Sequence, residues 1–258
     1  MSLDRFPRGM LQPESGFHFA VDSLLLSVFI TPKFRNRVLD IGCGCGVVGL
    51  SLLLAHPKKE VQLLGMDNDR EMIECALKNS QRLGLDQTTR FVRMDAGEID
   101  SSVIHAESFD LALINPPYRR PGSGRTPASP GRKAATFAPE SGLDIFLKAA
   151  GFALKNKGKA GIVFPASRLD ELLYALASNR LRPKKVLPVQ GRSGRAANLV
   201  LVQAVKNAGQ EMLLAPPLIL YDAQNRITRQ ARNFCPYLDS NPARNSGSSW
   251  TDNIRTGT

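Results

Sequence analysis

The chain has 258 residues, the scale of one large domain or of one domain with appendages. Hydrophobic residues make up 43%, enough for a substantial core, yet the longest apolar runs, such as 47–55, fall short of the ~20 residues of a membrane-spanning helix. A net charge of +11 favours a polyanionic partner, nucleic acid first.

The first residues carry no apolar signal core, so the expected location is the cytoplasm. Four cysteines (Cys43, Cys45, Cys75 and Cys235) form neither a CxxC pair nor a disulfide framework. Cys43 and Cys45 lack a second ligand pair, so no metal site is expected, and they read as small, buryable residues between glycines.

Residues 1–36 read as an irregular Gly- and Pro-rich arm followed by a helix from about Val21 to Ile30, ended by Pro32. Strand and helix patterns then alternate over 37–240, which predicts one α/β domain with a mostly parallel sheet and helices on both faces. Strands are expected at Arg37–Ile41, Val61–Met66, Phe91–Met94 and Phe109–Ile114. Helices are expected at Val47–Ala55 and Asp69–Leu83, the latter with Gly84 as its C-cap.

A long loop follows, from Arg119 to about Pro139, and its charges share one sign: Arg119, Arg120, Arg125, Arg132 and Lys133. Further on, the pattern predicts a helix over Leu143–Leu154 closed by Gly158, a strand over Ala160–Phe164 and a helix over Leu169–Ala177. Strands at Lys184–Val189 and Leu199–Ala204 flank the Gly-rich turn 191–195, and Leu218–Tyr221 reads as an edge strand. From 241 to 258 the composition of Asn, Ser, Gly and Arg predicts a disordered tail.

The chemistry is carried by two stretches. Asp40-Ile41-Gly42-Cys43-Gly44-Cys45-Gly46 lies between a strand and a helix, where glycines let the backbone approach a ligand and the helix start offers free N–H groups. The GxGxxG match over 44–49 alone is weak evidence for a dinucleotide. Asp40, directly before the glycines, favours S-adenosylmethionine over NAD: a carboxylate there pairs with the donor's amino group but opposes a pyrophosphate. Asp67, about 20 residues on, is placed to accept from both ribose hydroxyls, and would serve either cofactor. Asp95-Ala96 ends the third strand, where the carboxylate is expected to meet the adenine amino group.

The second stretch is Asn115-Pro116-Pro117-Tyr118, at the carboxyl end of the fourth strand. Two prolines cannot continue a ladder, so the chain turns out of the sheet where α/β ligands bind. The Asn115 side-chain oxygen and the Pro116 carbonyl are suited to accept the N–H groups of a planar amine, and Tyr118 to stack on a flipped base. A basic stretch at Arg180, Arg182, Lys184, Lys185, Arg192 and Arg195, with the basic loop, is expected to meet phosphates.

With these residues in view, the sequence resembles the Rossmann-like class I methyltransferases. Residues 38–46 look like their donor-binding motif, and 115–118 like their amino-methyltransferase motif. The resemblance implies a seven-stranded sheet whose last strand runs antiparallel. Residues 16–26, 194–202 and 216–222 are similar to the bacterial family that N6-methylates an adenine in the anticodon loop of valine tRNA. That likeness implies that Phe19 and Asp22 lie near the donor pocket, and that tRNA is the partner. The two motifs alone also fit a protein glutamine N5-methyltransferase, a guanine N2-methyltransferase of ribosomal RNA, or an idle RNA-binding protein on the same scaffold.

Overall fold

The computed structural model describes residues 6–14, 18–99, 101–118 and 142–240. The loop from Arg119 onward and the segment 241–258 lie outside the described residues.

Five strands run parallel: β1 (Arg37–Ile41), β2 (Gln62–Asp67), β3 (Thr89–Arg93), β4 (Phe109–Ile114) and β5 (Leu154–Pro165). β7 (Ala197–Lys206) is antiparallel to both its neighbours, β5 and β6 (Leu181–Arg192). The order across the sheet is β3-β2-β1-β4-β5-β7-β6. Two short strands, β8 (Leu213–Leu214) and β9 (Leu218–Tyr221), add to β6 in parallel. This is the expected seven-stranded sheet with its antiparallel last strand, extended at one edge.

Helices α1 (Val21–Phe29), α2 (Val47–Ala55) and α3 (Arg70–Leu83) bury their apolar residues on one face of the sheet. α4 (Gly142–Ala153) and α5 (Leu169–Ser178) cover the other. Residues 38 and 40 of β1 point to the first face, and 39 and 41 to the second, as the two-residue period of a strand requires. Asp69 N-caps α3, accepting from Glu71 N and Met72 N, while Gly84 in the left-handed region closes it.

Several expectations need correction. Gly158 does not close a helix. α4 ends at Ala153, and Gly158 lies inside β5, in a bulge where the register jumps from Phe109–Leu154 to Leu111–Lys159. β5 and β6 each run for 12 residues, longer than their apolar centres, because Leu154 and Lys159 of β5 and Leu181 and Arg182 of β6 also pair. A short polar helix, α6 (Arg229–Phe234), was not anticipated. The described part of the N-terminal arm is tied down: Phe6 and Met10 are buried with α1 and α2, and Phe6 packs edge-on against Tyr237.

The topology places the site. From β1 the chain steps outward to β2 and β3, then returns to the other side of β1 as β4. Ligands of open α/β sheets sit at such a reversal, beyond the carboxyl ends of the strands. Ile41 pairs with Ile114, so Gly42 and Asn115 are each one residue past two adjacent strand ends.

Candidate active site

Gly42, Gly44 and Gly46 all have positive φ, at 70°, 53° and 85°. Gly46 is the N-cap of α2 and carries no side chain to satisfy the helix's free N–H groups. Asp40 does so from beneath: its Oδ2 accepts from Gly49 N at 2.9 Å. This carboxyl is buried within a strand of apolar residues, and burial pushes it up to about 7, with the nearby Asp67 adding to the effect. An acid so placed is readily ionised by a bound cation.

At Gly42 a Cβ would stand 2.6 Å from Cε1 of Phe146, an α4 ring lying against the loop. The loop is thus fixed from below by Asp40 and from the side by Phe146. Cys43 and Cys45 are buried, and burial pushes the Cys45 thiol up to about 12, so both act as small apolar packing groups. Among the described residues, no group of three or more His, Cys, Asp or Glu is arranged to hold a metal ion.

Asp67 ends β2 and accepts two backbone N–H groups, Gly44 N on Oδ2 at 2.8 Å and Asp69 N on Oδ1 at 2.9 Å. Burial raises its pKa. Each oxygen keeps a second acceptor site, so the carboxylate can also take two ligand hydroxyls. Asp95 is exposed. It caps the short turn at Ala96–Glu98 through Gly97 N, 2.7 Å away, and accepts from Asn68 Nδ2 at 3.1 Å. Phe19 packs, half-buried, against the α1 side of the core, its N–H donating to Gln12 Oε1.

The turn after β4 is clamped to α1. Asn115 Nδ2 donates to Ser23 Oγ at 3.0 Å, and Asn115 Oδ1 accepts from the Tyr118 hydroxyl at 2.6 Å. The same hydroxyl lies 3.0 Å from Asp22 Oδ2. Asp22 is buried and its pKa is raised, mainly by burial, while bonds from Ser23 and Tyr118 oppose the rise. Tyr118 has a pKa well above its usual value because it is desolvated beside Asp22, so it remains a phenol. Pro116 is buried, and Pro117 is partly so.

Three side chains at this turn escaped sequence reasoning. Ser23 orients the Asn115 amide. Arg168 donates to the Tyr118 carbonyl at 2.5 Å while its other nitrogens grip both oxygens of Glu171. Phe164, at the end of β5, meets the Tyr118 ring edge-on at 6.1 Å. The only sequence signal for Ser23 was its place next to Asp22. Arg168 and Phe164 carried none, since their roles depend on β5 lying beside β4.

The basic residues divide. Arg192 and Arg195 sit at the hairpin between β6 and β7, which projects past the sheet end where Asn115 lies. Arg180, Arg182, Lys184 and Lys185 lie at the start of β6, at the opposite end. A 12-residue strand is roughly 40 Å long, so one sequence stretch supplies both ends. Arg119, Arg120, Arg125, Arg132 and Lys133 lie outside the described residues.

A family model, the methyltransferase small domain, matches residues 20–129. Over 191 residues the chain is 25% identical to a tRNA1(Val) (adenine(37)-N6)-methyltransferase of Tolumonas auensis, covering 74% of this chain and 77% of that one. It is 26% identical over 205 residues to the enzyme of the same name from Pasteurella multocida, covering 80% and 82%. Among solved structures, a predicted O-methyltransferase from Agrobacterium tumefaciens superposes with a TM-score of 0.67 at 18% identity, over 83% of this chain and 94% of that one. A geranyl diphosphate C-methyltransferase from Streptomyces coelicolor, solved with S-adenosyl-L-homocysteine, gives 0.51 at 13% identity, over 72% and 77%. These two share the fold. The donor of this class is S-adenosylmethionine, and a buried acid under a glycine cradle at the switch point fits its cationic amino-acid end. The chain has the fold of the SAM-dependent methyltransferases and is similar, over most of its length, to enzymes named tRNA1(Val) (adenine(37)-N6)-methyltransferase.

Proposed function

We propose that the protein methylates the N6 amine of an adenine in tRNA, the anticodon-loop adenine of a valine tRNA by analogy with its named relatives. The observation that carries this reading is the Asn115 amide, held between Ser23 and Tyr118 one residue past the strand paired with the glycine-loop strand. When bound, S-adenosylmethionine supplies an electrophilic methyl group on a sulfonium.

In this reading Asp40 faces the donor's amino group, and Gly42, Gly44 and Gly46 let the backbone close around its amino-acid end. Asp67 takes the ribose hydroxyls, and Asp95 and Ala96 border the adenine. Phe19 and Asp22 flank the pocket from the α1 side. Asn115 Oδ1 has one acceptor site left beside the Tyr118 hydroxyl, and the Pro116 carbonyl has no partner among the described residues. Together they accept the two N–H groups of the target amine and turn its lone pair toward the glycine loop. Positioning of this kind is worth roughly 7–11 kcal/mol. The amine proton becomes acidic only as the new bond forms, so no strong base is needed beforehand. Tyr118 supplies a face for the flipped base, and Arg192 and Arg195 with the basic loop hold phosphates. In this reading the protein acts on tRNA in the cytoplasm.

The test incubates the protein with labelled donor and separated tRNA, ribosomal RNA and protein fractions. Label in the tRNA fraction, at N6 of adenine, supports the reading. Label on a protein glutamine moves the assignment to the amide, and label on a ribosomal guanine moves it to N2. Asn115→Ala should abolish transfer while S-adenosylhomocysteine still binds. Turnover near that of the wild type in this variant would overturn the role given to Asn115.

A further inference from the structure

At the sheet end opposite Asn115 lies a cavity of about 230 Å³ that the methyl-transfer site does not use. Its wall carries four lysines, Lys33, Lys155, Lys157 and Lys159, against one acid, Asp110. The excess of positive charge is thus built into the wall. It is continued outside by Arg180, Arg182 and Lys184, at the start of β6.

The cavity is made by the β5 bulge. Phe109 pairs with Leu154 and Leu111 with Lys159, so residues 155–158 loop out opposite Asp110 alone. Gly158 allows that loop: a Cβ there would stand 2.8 Å from the Lys155 carbonyl oxygen. Lys157, with φ of 64°, is anchored by its Nζ on the Asn207 carbonyl oxygen.

Two of the four ammonium groups are already committed. Lys155 pairs with Asp110 at 2.7 Å, and Lys157 is held by Asn207. Among the described residues, the ammonium groups of Lys33 and Lys159 have no hydrogen-bond or ion-pair partner. Two amides have only their oxygens engaged. Asn36 Oδ1 accepts from Lys33 N at 2.7 Å, and Asn156 Oδ1 accepts from Asn207 Nδ2 at 3.2 Å. Their NH2 groups remain as donors. Two unpaired ammonium groups and two amide donors in one concave wall form a donor set for a tetrahedral oxyanion.

We propose that this cavity takes one backbone phosphate of the RNA whose base enters the Asn115 site, a contact that rests on the tRNA reading above. Asp110 and Asn115 belong to one continuous stretch at β4, so the two sites are roughly 17 Å apart. That span is short against a folded tRNA. The contact would supply affinity and register without base identity.

The test is the double variant Lys33→Gln/Lys159→Gln, titrated with labelled tRNA at several salt concentrations. Expected are about tenfold weaker binding and a salt slope lower by about one, as for one lost phosphate contact. S-adenosylhomocysteine affinity and kcat at saturating tRNA should be unchanged, with the loss confined to KM. A control pair, Lys58→Gln/Lys59→Gln, removes equal charge from the turn before β2 and should shift affinity less than threefold. An equal loss in both pairs would mean generic attraction and overturn the site. Unchanged affinity and slope, in a wild type that does methylate tRNA, overturn the cavity alone. A cavity that binds inorganic phosphate while tRNA affinity ignores the variant is a small-anion site, which also overturns the RNA assignment. A wild type that transfers no methyl group to tRNA sinks the tRNA reading and this contact with it.

Discussion

The Tyr118 hydroxyl lies 3.0 Å from Asp22 Oδ2, joining the turn after β4 to the first turn of α1 across 96 residues. The same oxygen is 2.6 Å from Asn115 Oδ1. A phenol has one proton, so it donates to one of these two acceptors at a time. Asp22, Tyr118 and Asn115 thus form one chain of contacts through the phenol, with Ser23 fixing the other end of the amide.

Tyr118→Phe breaks this chain and keeps the ring. Expected is a 10- to 100-fold fall in the single-turnover methylation rate, the scale set by a misplacement of about 1 Å. Ser23→Ala should do the same more weakly, and Ser23→Thr should restore most of the rate. Donor affinity measured by calorimetry should stay within threefold of wild type in all three. Loss of donor binding instead would place these residues in the donor pocket.

Asp40 predicts a pH dependence. Its folded pKa of about 7 exceeds its ordinary value of 3.8, so between these limits the folded chain binds more protons at this site than the unfolded one. Its contribution to stability is therefore full below about pH 4, falls as pH rises, and is lost above about pH 7, a change on the order of 4 kcal/mol. Asp40→Asn keeps an acceptor for Gly49 N and removes the charge. Urea unfolding should show the variant gaining on the wild type between pH 5 and pH 8. A constant difference would refute the buried titration.

The same carboxylate faces the donor's cation in our reading. Wild-type affinity for S-adenosylhomocysteine should therefore rise from pH 6 to pH 8, with proton release on binding in buffers of different ionisation enthalpy. Asp40→Asn should bind at least tenfold more weakly and lose the pH dependence. Equal binding by the variant would remove Asp40 from the donor site.

Gly42 carries two separable constraints. Its φ of 70° disfavours any side chain, and Phe146 occupies the space a Cβ would need. Gly42→Ala should destabilise the fold by about 1–3 kcal/mol and weaken donor binding. Adding Phe146→Ala should recover the steric part and leave the backbone part, read as coupling in a double-mutant cycle. Strict additivity would mean that the ring yields freely.

Much of the fold was legible because its punctuation is local. The strand Arg37–Ile41, the helix Val47–Ala55 and the strand Phe109–Ile114 were read at their observed bounds, each an apolar run stopped by Gly, Pro or a charged residue. β5 and β6 were read too short. Their outer residues, such as Lys159 and Arg182, look like loop by composition, and only pairing with β4 and β7 makes them strand. α6 was missed because six mostly polar residues show too little periodicity to register.

The sequence by itself determined the glycine loop, the acid before it and the proline turn after the fourth strand, because each is a backbone constraint written in adjacent residues. Tertiary structure alone decided that Ser23 and Asp22 hold Asn115 and Tyr118, partners 92 and 96 residues apart. It also decided that one basic stretch serves two opposite ends of the sheet, and that a bulge in β5 opens a lysine-walled cavity. These depend on strand order, register and length, which arise from long-range pairing and leave no local signal in the chain.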